Sequence, residues 1–274
     1  MIKKFNNAPL PFQGQKRRFI RQLEEMAKRQ NEGTIFIDLF GGSGLVSHTI
    51  KRARPDCRVV YNDYDHYSDR LANVERTNAM LRVLREMLAG VPMKARITSP
   101  LREAILDEVA KWQRSGFVDW VSLSSNILFT MNYVSSYDEL AKATLYNRVR
   151  LADYDAEGYL EGVETVSMDY RQLFALYRDE PEVVFILDPP YLSTDCGTYK
   201  DYWRLSDYLE VLKCLNSTRF VYFTSSKSSI VELATWMSEN KMHGNPFEGA
   251  RECRFHVSGQ ALNYDDIMLD KSVA

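Results

Sequence analysis

The sequence predicts an α/β fold: a parallel sheet with helices on both faces, interrupted by a mostly helical insertion. Three observations predict it. First, "TIFIDLF", the glycine-rich "GGSG", the helical "LVSHTIKRA" and a second strand, "RVVYND", follow one another as a βαβ unit, which requires a parallel sheet. Second, from about Tyr67 to Gly162 long helical patterns dominate and strong strand candidates are missing. Third, strands return with "ETVSM", "VVFILD" and "RFVYFTSS".

The elements are justified in turn. "KRRFIRQLEEMAKRQ" places Phe19, Ile20, Leu23, Met26 and Ala27 at helical spacing, with Gly33 as the stop. Pro55 closes the helix after the glycine turn, and Arg58 to Asp63 form the next strand. Leu71 to Leu88 and Leu101 to Trp112 are helices of the insertion. Two weaker strands, "RFHV" and "DDIML", lie near the end. The expected domains are therefore 1–66 with 163–274, and 67–162 as the insertion.

Composition excludes several classes. A chain of 274 residues, 45% apolar and 26% charged, has the makeup of an ordinary globular protein with a substantial core. No apolar run reaches the roughly 18 residues of a membrane span. "MIKKFNNAPLPFQ" lacks the apolar segment of a signal peptide, so the expected location is the cytoplasm. The four cysteines (Cys57, Cys196, Cys214, Cys253) are scattered, which argues against a zinc site or a disulfide framework. A net charge of −2 gives no basic signature to the whole chain, but one basic face suffices to bind nucleic acid.

Gly41, Gly42 and Gly44 sit between a strand and a helix, where glycine lets backbone approach a ligand closely. The dinucleotide fingerprint G-x-G-x-x-G fails here, because its third position is Ser47. Asp38, at the first strand's end, would repel a pyrophosphate and suits an ammonium or sulfonium. Asp63 ends the second strand 25 residues later, where an acid accepts hydrogen bonds from a ribose. In "EVVFILDPPY" a buried strand runs into an acid, two prolines and a tyrosine. Read alone, that is a turn after a core strand.

"DLFGGSG", "YNDYD" and "DPPY", in this order and spacing, resemble the Dam-like (D12-class) DNA adenine-N6 methyltransferases, and "PFQGQK" is similar to that family's N-terminal cofactor segment. The resemblance covers nearly the whole chain and implies a Rossmann-like methyltransferase sheet carrying a target-recognition insertion. It implies S-adenosylmethionine as cofactor, leaving as S-adenosylhomocysteine, with no metal. Asp188, Pro189, Pro190 and Tyr191 would be catalytic. Asp188 and the Pro189 carbonyl would accept the two N–H groups of adenine, and Tyr191 would stack on the flipped base. Phe12, Gly14, Lys16, Asp38, Phe40, Gly41, Gly42, Ser43, Gly44, Asp63 and Asp169 would hold the cofactor, with Lys16 on its carboxylate and Asp169 at its adenine. Asp169 reads equally as a helix N-cap. The segment departs from the family where Gln15 replaces a second glycine.

In the insertion, Asn132, Tyr133, Lys142, Asn147, Arg148 and Arg150 mix amide, aromatic and basic types suited to double-stranded DNA. Lys16 to Arg18 and Arg204 are candidates for phosphate, and the aromatics of "YKDYW" for closing over a base. The expected state is a monomer without membrane contact, and a restriction endonuclease is a candidate companion. None of the four cysteines follows a proline, which disfavours cytosine-C5 chemistry. Methylation of RNA or another amino group, a non-catalytic nucleic-acid-binding relative and a nucleotide-dependent oxidoreductase stay open on the residues alone.

Overall fold

The computed structural model describes residues 2–130, 132–190, 203–240, 244–259 and 262–273. By contacts the chain divides into two compact units: residues 1–6, 16–65 and 160–274 form one, and 7–15 with 66–159 the other. Residues 7–15, expected with the sheet, group instead with the helices. There the Leu10 N–H donates to Tyr67 Oη at 3.0 Å and Arg70 Nη2 to the Pro11 carbonyl at 2.9 Å.

The first unit is built on a sheet of seven strands: β1 (Ile35–Asp38), β2 (Arg58–Asn62), β3 (Glu164–Val166), β4 (Val183–Leu187), β5 (Phe220–Ser225), β6 (Arg251–Gly259) and β7 (Leu262–Lys271). Their order is β3-β2-β1-β4-β5-β7-β6, with β7 antiparallel to its neighbours β5 and β6 and the rest parallel. Side chains alternate between two cores, as strand geometry requires. On one face Phe36, Val184, Ile186 and Phe223 meet Leu23 and Met26 of α1 (Ile20–Lys28) and Ile50 of α2 (Leu45–Ala53). On the other, Ile37, Phe185, Leu187 and Tyr222 meet Leu173, Val211 and Ala234. β1 and β4 are buried almost throughout, which is why they read as continuous apolar runs.

The second unit holds α3 (Tyr67–Ala72), α4 (Val74–Met87), α5 (Leu101–Arg114), α6 (Trp120–Ile127) and α7 (Tyr137–Lys142). The single helix expected from Leu71 to Leu88 breaks at Asn73, whose φ and ψ of −104° and 19° leave the helical region. The chain returns to the sheet unit through β3, then α8 (Tyr170–Tyr177), α9 (Leu205–Leu215) and α10 (Ile230–Glu239). The weak strands "RFHV" and "DDIML" belong to a longer hairpin, β6–β7, nine residues pairing against ten. Among the described residues no helix is long and apolar enough to cross a membrane.

Candidate active site

The carboxyl ends of β1, β2 and β4 gather the acids that the sequence singled out. Asp38 ends β1 and is 2% exposed. Ser47, on the buried first half of α2, donates its hydroxyl to Asp38 Oδ2 at 2.7 Å. Burial pushes the Asp38 carboxyl from the ordinary 3.8 up to about 7; the Ser47 hydroxyl opposes this, nearby Asp188 adds to it, and the Phe40 N–H and Lys16 also oppose it. Ser47 is the residue that breaks the dinucleotide fingerprint, and its hydroxyl is what a glycine there would lack.

The turn between β1 and α2 is closed by the Gly44 N–H donating to the Gly41 carbonyl at 2.8 Å. Gly42 and Gly44 have φ of 50° and 73°, which favours glycine. Gly41 is glycine for space: a Cβ there would lie 2.2 Å from the Tyr61 ring and 2.8 Å from the Asn62 carbonyl. Tyr61 Oη lies 2.7 Å from the Gly42 carbonyl and 2.9 Å from Asp63 Oδ1, so one proton serves two acceptors. Asp63 is 4% exposed, and its N–H donates to the Val166 carbonyl at 2.7 Å. Tyr61 thus ties the glycine turn to the acid after β2. Asn62 does the same for the backbone, its Nδ2 donating to the carbonyls of Leu39 and Met168 at 3.0 and 2.9 Å. The sequence reading passed over both side chains. The signal for Tyr61 was the first glycine, whose purpose is to clear its ring.

Asp188 follows β4, next to the buried Pro189. Lys16, 7% exposed, makes an ion pair with Asp188 Oδ2 and holds its ammonium 5.5 Å over the Phe223 ring. Burial raises the Asp188 carboxyl above the ordinary carboxylate range, Lys16 pulls it down by charge and hydrogen bond, and Asp266 raises it further. The structure places the Lys16 ammonium on the acid of the "DPPY" motif, a contact that the sequence reading, which put Lys16 on a cofactor carboxylate, did not include. Oδ1 of Asp188 has no hydrogen-bond donor among the described residues. Tyr191, and the segment "YKDY" before Trp203, lie outside the described residues.

Phe40 is half-buried, its ring 4.9 Å from that of Tyr170 and 5.7 Å from that of Trp203, which in turn stacks on Tyr170. Trp203 thus belongs to the core edge. Asp169 caps α8, accepting the Arg171 N–H at 2.8 Å, and both its oxygens face the Arg171 guanidinium at 3.0 Å. Ser43 is 5% exposed in the glycine turn.

In the second unit Phe12 packs edge-to-face on Tyr67, ring centroids 5.7 Å apart. Gly14 has φ of 85°, and a Cβ there would meet nothing within 4 Å, so it is glycine for conformation alone. Gln15 replaces the family's second glycine with a brace: its Oε1 accepts the Ala8 N–H at 2.8 Å and its Nε2 donates to the Phe12 carbonyl at 3.2 Å. Asn132 and Lys142 are exposed, and Tyr133, Arg148 and Arg150 half-buried. Arg148 donates to Thr130 Oγ1, and the Arg150 guanidinium lies 3.8 Å over the Tyr154 ring. Asn147 corrects the sequence reading. It is 6% exposed, and its amide donates to the Val91 carbonyl at 2.6 Å, so it fastens a loop rather than offering itself to a base edge.

Among the described residues no group of three His, Cys, Asp or Glu side chains has the arrangement of a metal site. Cys57 and Cys214 are buried free thiols, and burial pushes Cys214 up to about 11, which leaves it a poor nucleophile. Cys196 lies outside the described residues.

The sheet order and the acids at its carboxyl ends define an α/β methyltransferase. Residues 12–90 match the model of the D12 class N6 adenine-specific DNA methyltransferases. A Haemophilus influenzae protein named "Putative methyltransferase" is 36% identical over 247 residues, which span 87% of this chain and 82% of that one. The chain belongs to the D12 class methyltransferase family. Among solved structures, an rRNA methylase from Streptococcus thermophilus aligns at 13% identity and a TM-score of 0.37, over 92% of this chain and 96% of that one. A precorrin-6y C5,15-methyltransferase from Geobacter metallireducens aligns at 11% and 0.33, over 98% and 100%. At such TM-scores neither likeness carries weight.

Proposed function

We propose that this chain transfers a methyl group from S-adenosylmethionine to N6 of an adenine in double-stranded DNA. The observation that carries the reading is Asp188 after β4: a carboxyl in a desolvating site, paired with Lys16 at one oxygen, whose other oxygen has no donor among the described residues.

The cofactor's needs match the residues present. Asp38 is buried and accepts a hydrogen bond from the neutral Ser47 hydroxyl, an environment that suits the cofactor's cationic amino-acid end. The tight turn formed by Gly42 and Gly44 at positive φ and the buried Asp63 suit close backbone approach and a ribose hydroxyl pair. S-adenosylmethionine supplies, when bound, an electrophilic methyl on a sulfonium and leaves as S-adenosylhomocysteine.

The chain's own residues must make adenine N6 a nucleophile, since its lone pair is delocalised into the ring. Asp188 Oδ1 accepts one N–H and the Pro189 carbonyl the other, drawing the nitrogen toward a tetrahedral shape. Proline fixes φ, so Pro189 and Pro190 hold that carbonyl aimed. With the cofactor bound, Asp188 would take the N6 proton that is released as N6 gains the methyl and the C–S electron pair stays on sulfur. Positioning and electrostatics supply the rate. Asn132, Tyr133, Lys142, Arg148 and Arg150 are the proposed DNA-facing residues of the insertion, and Tyr191 the stacking partner of the base.

The test is transfer of labelled methyl to unmethylated genomic DNA, with Asp188→Ala alongside and the products digested to nucleosides and identified by mass. N6-methyladenine from the native chain and none from the variant supports the reading. Methylated RNA with unmethylated DNA overturns it.

A further inference from the structure

A concave site in the helical unit has no part in the chemistry above. Arg96, Arg102 and Lys142 line a cleft of about 260 Å³ whose remaining walls are Ile97 and residues 143–145. The elements that build it are fixed. The Ile97 N–H donates to the Leu145 carbonyl at 2.9 Å and the Asn147 N–H to the Ala95 carbonyl at 2.9 Å, so Arg96 and Tyr146 oppose each other as a non-hydrogen-bonded pair. Arg102, on the first turn of α5, donates Nη2 to the carbonyls of Ala141 and Ala143 and so covers the negative end of α7. Lys142 is the last residue of α7.

The cations of the cleft are only weakly engaged by carboxylates. Arg96 and Lys142 enter no ion pair among the described residues, and the nearest acid to Arg102 is Glu103, at 3.9 Å. Glu103 accepts the Ser99 hydroxyl at 2.8 Å, and Glu139, on α7 near Lys142, accepts the Ser135 N–H and hydroxyl at 2.7 and 3.1 Å. The walls carry no aromatic ring to stack on a base and no amide to read one. We infer that this cleft binds a backbone phosphate of duplex DNA, anchoring the chain without reading sequence. The inference rests on the DNA reading above and adds to it the anchor, with Arg96 and Arg102 as its new members. Arginine forks suit the paired non-bridging oxygens of a phosphodiester, and contacts of this kind position a protein on the duplex without specifying the site.

The test is the salt dependence of binding to labelled duplexes of unrelated sequence, measured by fluorescence anisotropy for the native chain, Arg96→Gln and Arg96→Gln/Lys142→Gln. Each lost phosphate contact removes about 0.9 from the slope of log affinity against log salt. The expected result is a slope shallower by about 1 for the single variant, with weakening equal on every sequence and unchanged melting temperature and S-adenosylmethionine affinity. Native binding to DNA with the same slope in all three proteins overturns the cleft's role while leaving the DNA reading intact. No salt-dependent DNA binding by the native chain overturns both. A slope lost on duplex RNA but kept on duplex DNA also rejects the inference.

Discussion

The two units treat charge in opposite ways. In the sheet unit the informative charges are buried and held: Asp38 by Ser47, Asp188 by Lys16, Asp63 by Tyr61. In the helical unit Asp119, bound to Arg70 and Ser122, is a buried charge of purely local use, while Lys94, Arg96, Arg114 and Lys142 stand exposed. Buried charges of the first kind are costly unless paired, so their presence at strand ends signals chemistry. Exposed cations cost little and signal only a partner's field.

The largest effect that would sharpen this contrast is at Asp188. Asp188→Asn keeps the shape but loses the charge, and kcat should fall roughly 10²–10³-fold, the scale of removing one preorganised polar partner. It also removes the charge that Lys16 faces at 8% side-chain exposure, a loss toward the lower end of about 3–5 kcal/mol because Asp188 is 23% exposed. Arg114→Gln, an exposed cation at the end of α5, should change stability by no more than about 0.5 kcal/mol. Equal losses from the two substitutions, measured by chemical denaturation, would abolish the distinction.

Gly41→Ala and Gly14→Ala extend the comparison to backbone. The first drives a methyl into the Tyr61 ring and should cost about 1–3 kcal/mol, with loss of cofactor binding. The second meets nothing and strains only φ, costing about 1–2 kcal/mol. Calorimetric titration with S-adenosylmethionine separates them: retained binding in Gly41→Ala would remove the glycine turn from the site.

These residues also show what was legible beforehand. The βαβ start, the strand "VVFILD" and the acids after it could be read because parallel strands buried on both faces are continuous apolar runs, and because an acid or glycine at their ends has few structural excuses. The break of the long helix at Asn73 was not legible, since nothing in "ANVERT" forbids helix and tertiary packing decides. Asn147 misled because amides that read bases and amides that fasten loops share one composition. The Lys16–Asp188 pair was not legible for a different reason: the two residues are 172 apart in sequence, and no local pattern reports so distant a contact.

Asp38 gives a dependence on pH. Its folded value of about 7 lies above the ordinary 3.8, so between these values the folded chain holds the extra proton and this group's stabilisation is lost as pH rises. Ligand binding should run the other way. If Asp38 receives a cation it must be ionised, so cofactor affinity rises about tenfold per pH unit below 7 and levels off above, with a proton released on binding. Asp188 and Lys16 face the same site, and their charges enter the midpoint. Titrations in buffers of different ionisation enthalpy measure the proton; none released at pH 6 would break the link.

Ser47→Gly is the most pointed change, because it restores the glycine that the dinucleotide fingerprint asks for. If that fingerprint were the site's logic, the substitution would be harmless or helpful. If Asp38 is instead tuned for a cation, removing the hydroxyl that donates to it at 2.7 Å takes away the largest influence holding its carboxyl down. The lost hydrogen bond and the glycine within α2 should together cost about 1–2.5 kcal/mol of stability. The affinity midpoint should move above pH 7 while the high-pH plateau stays within severalfold of native. Ser47→Ala, which keeps the helix former, should move the midpoint by the same amount with a smaller stability loss. A midpoint unmoved in both variants would return Ser47 to the role of a small residue packed against a strand.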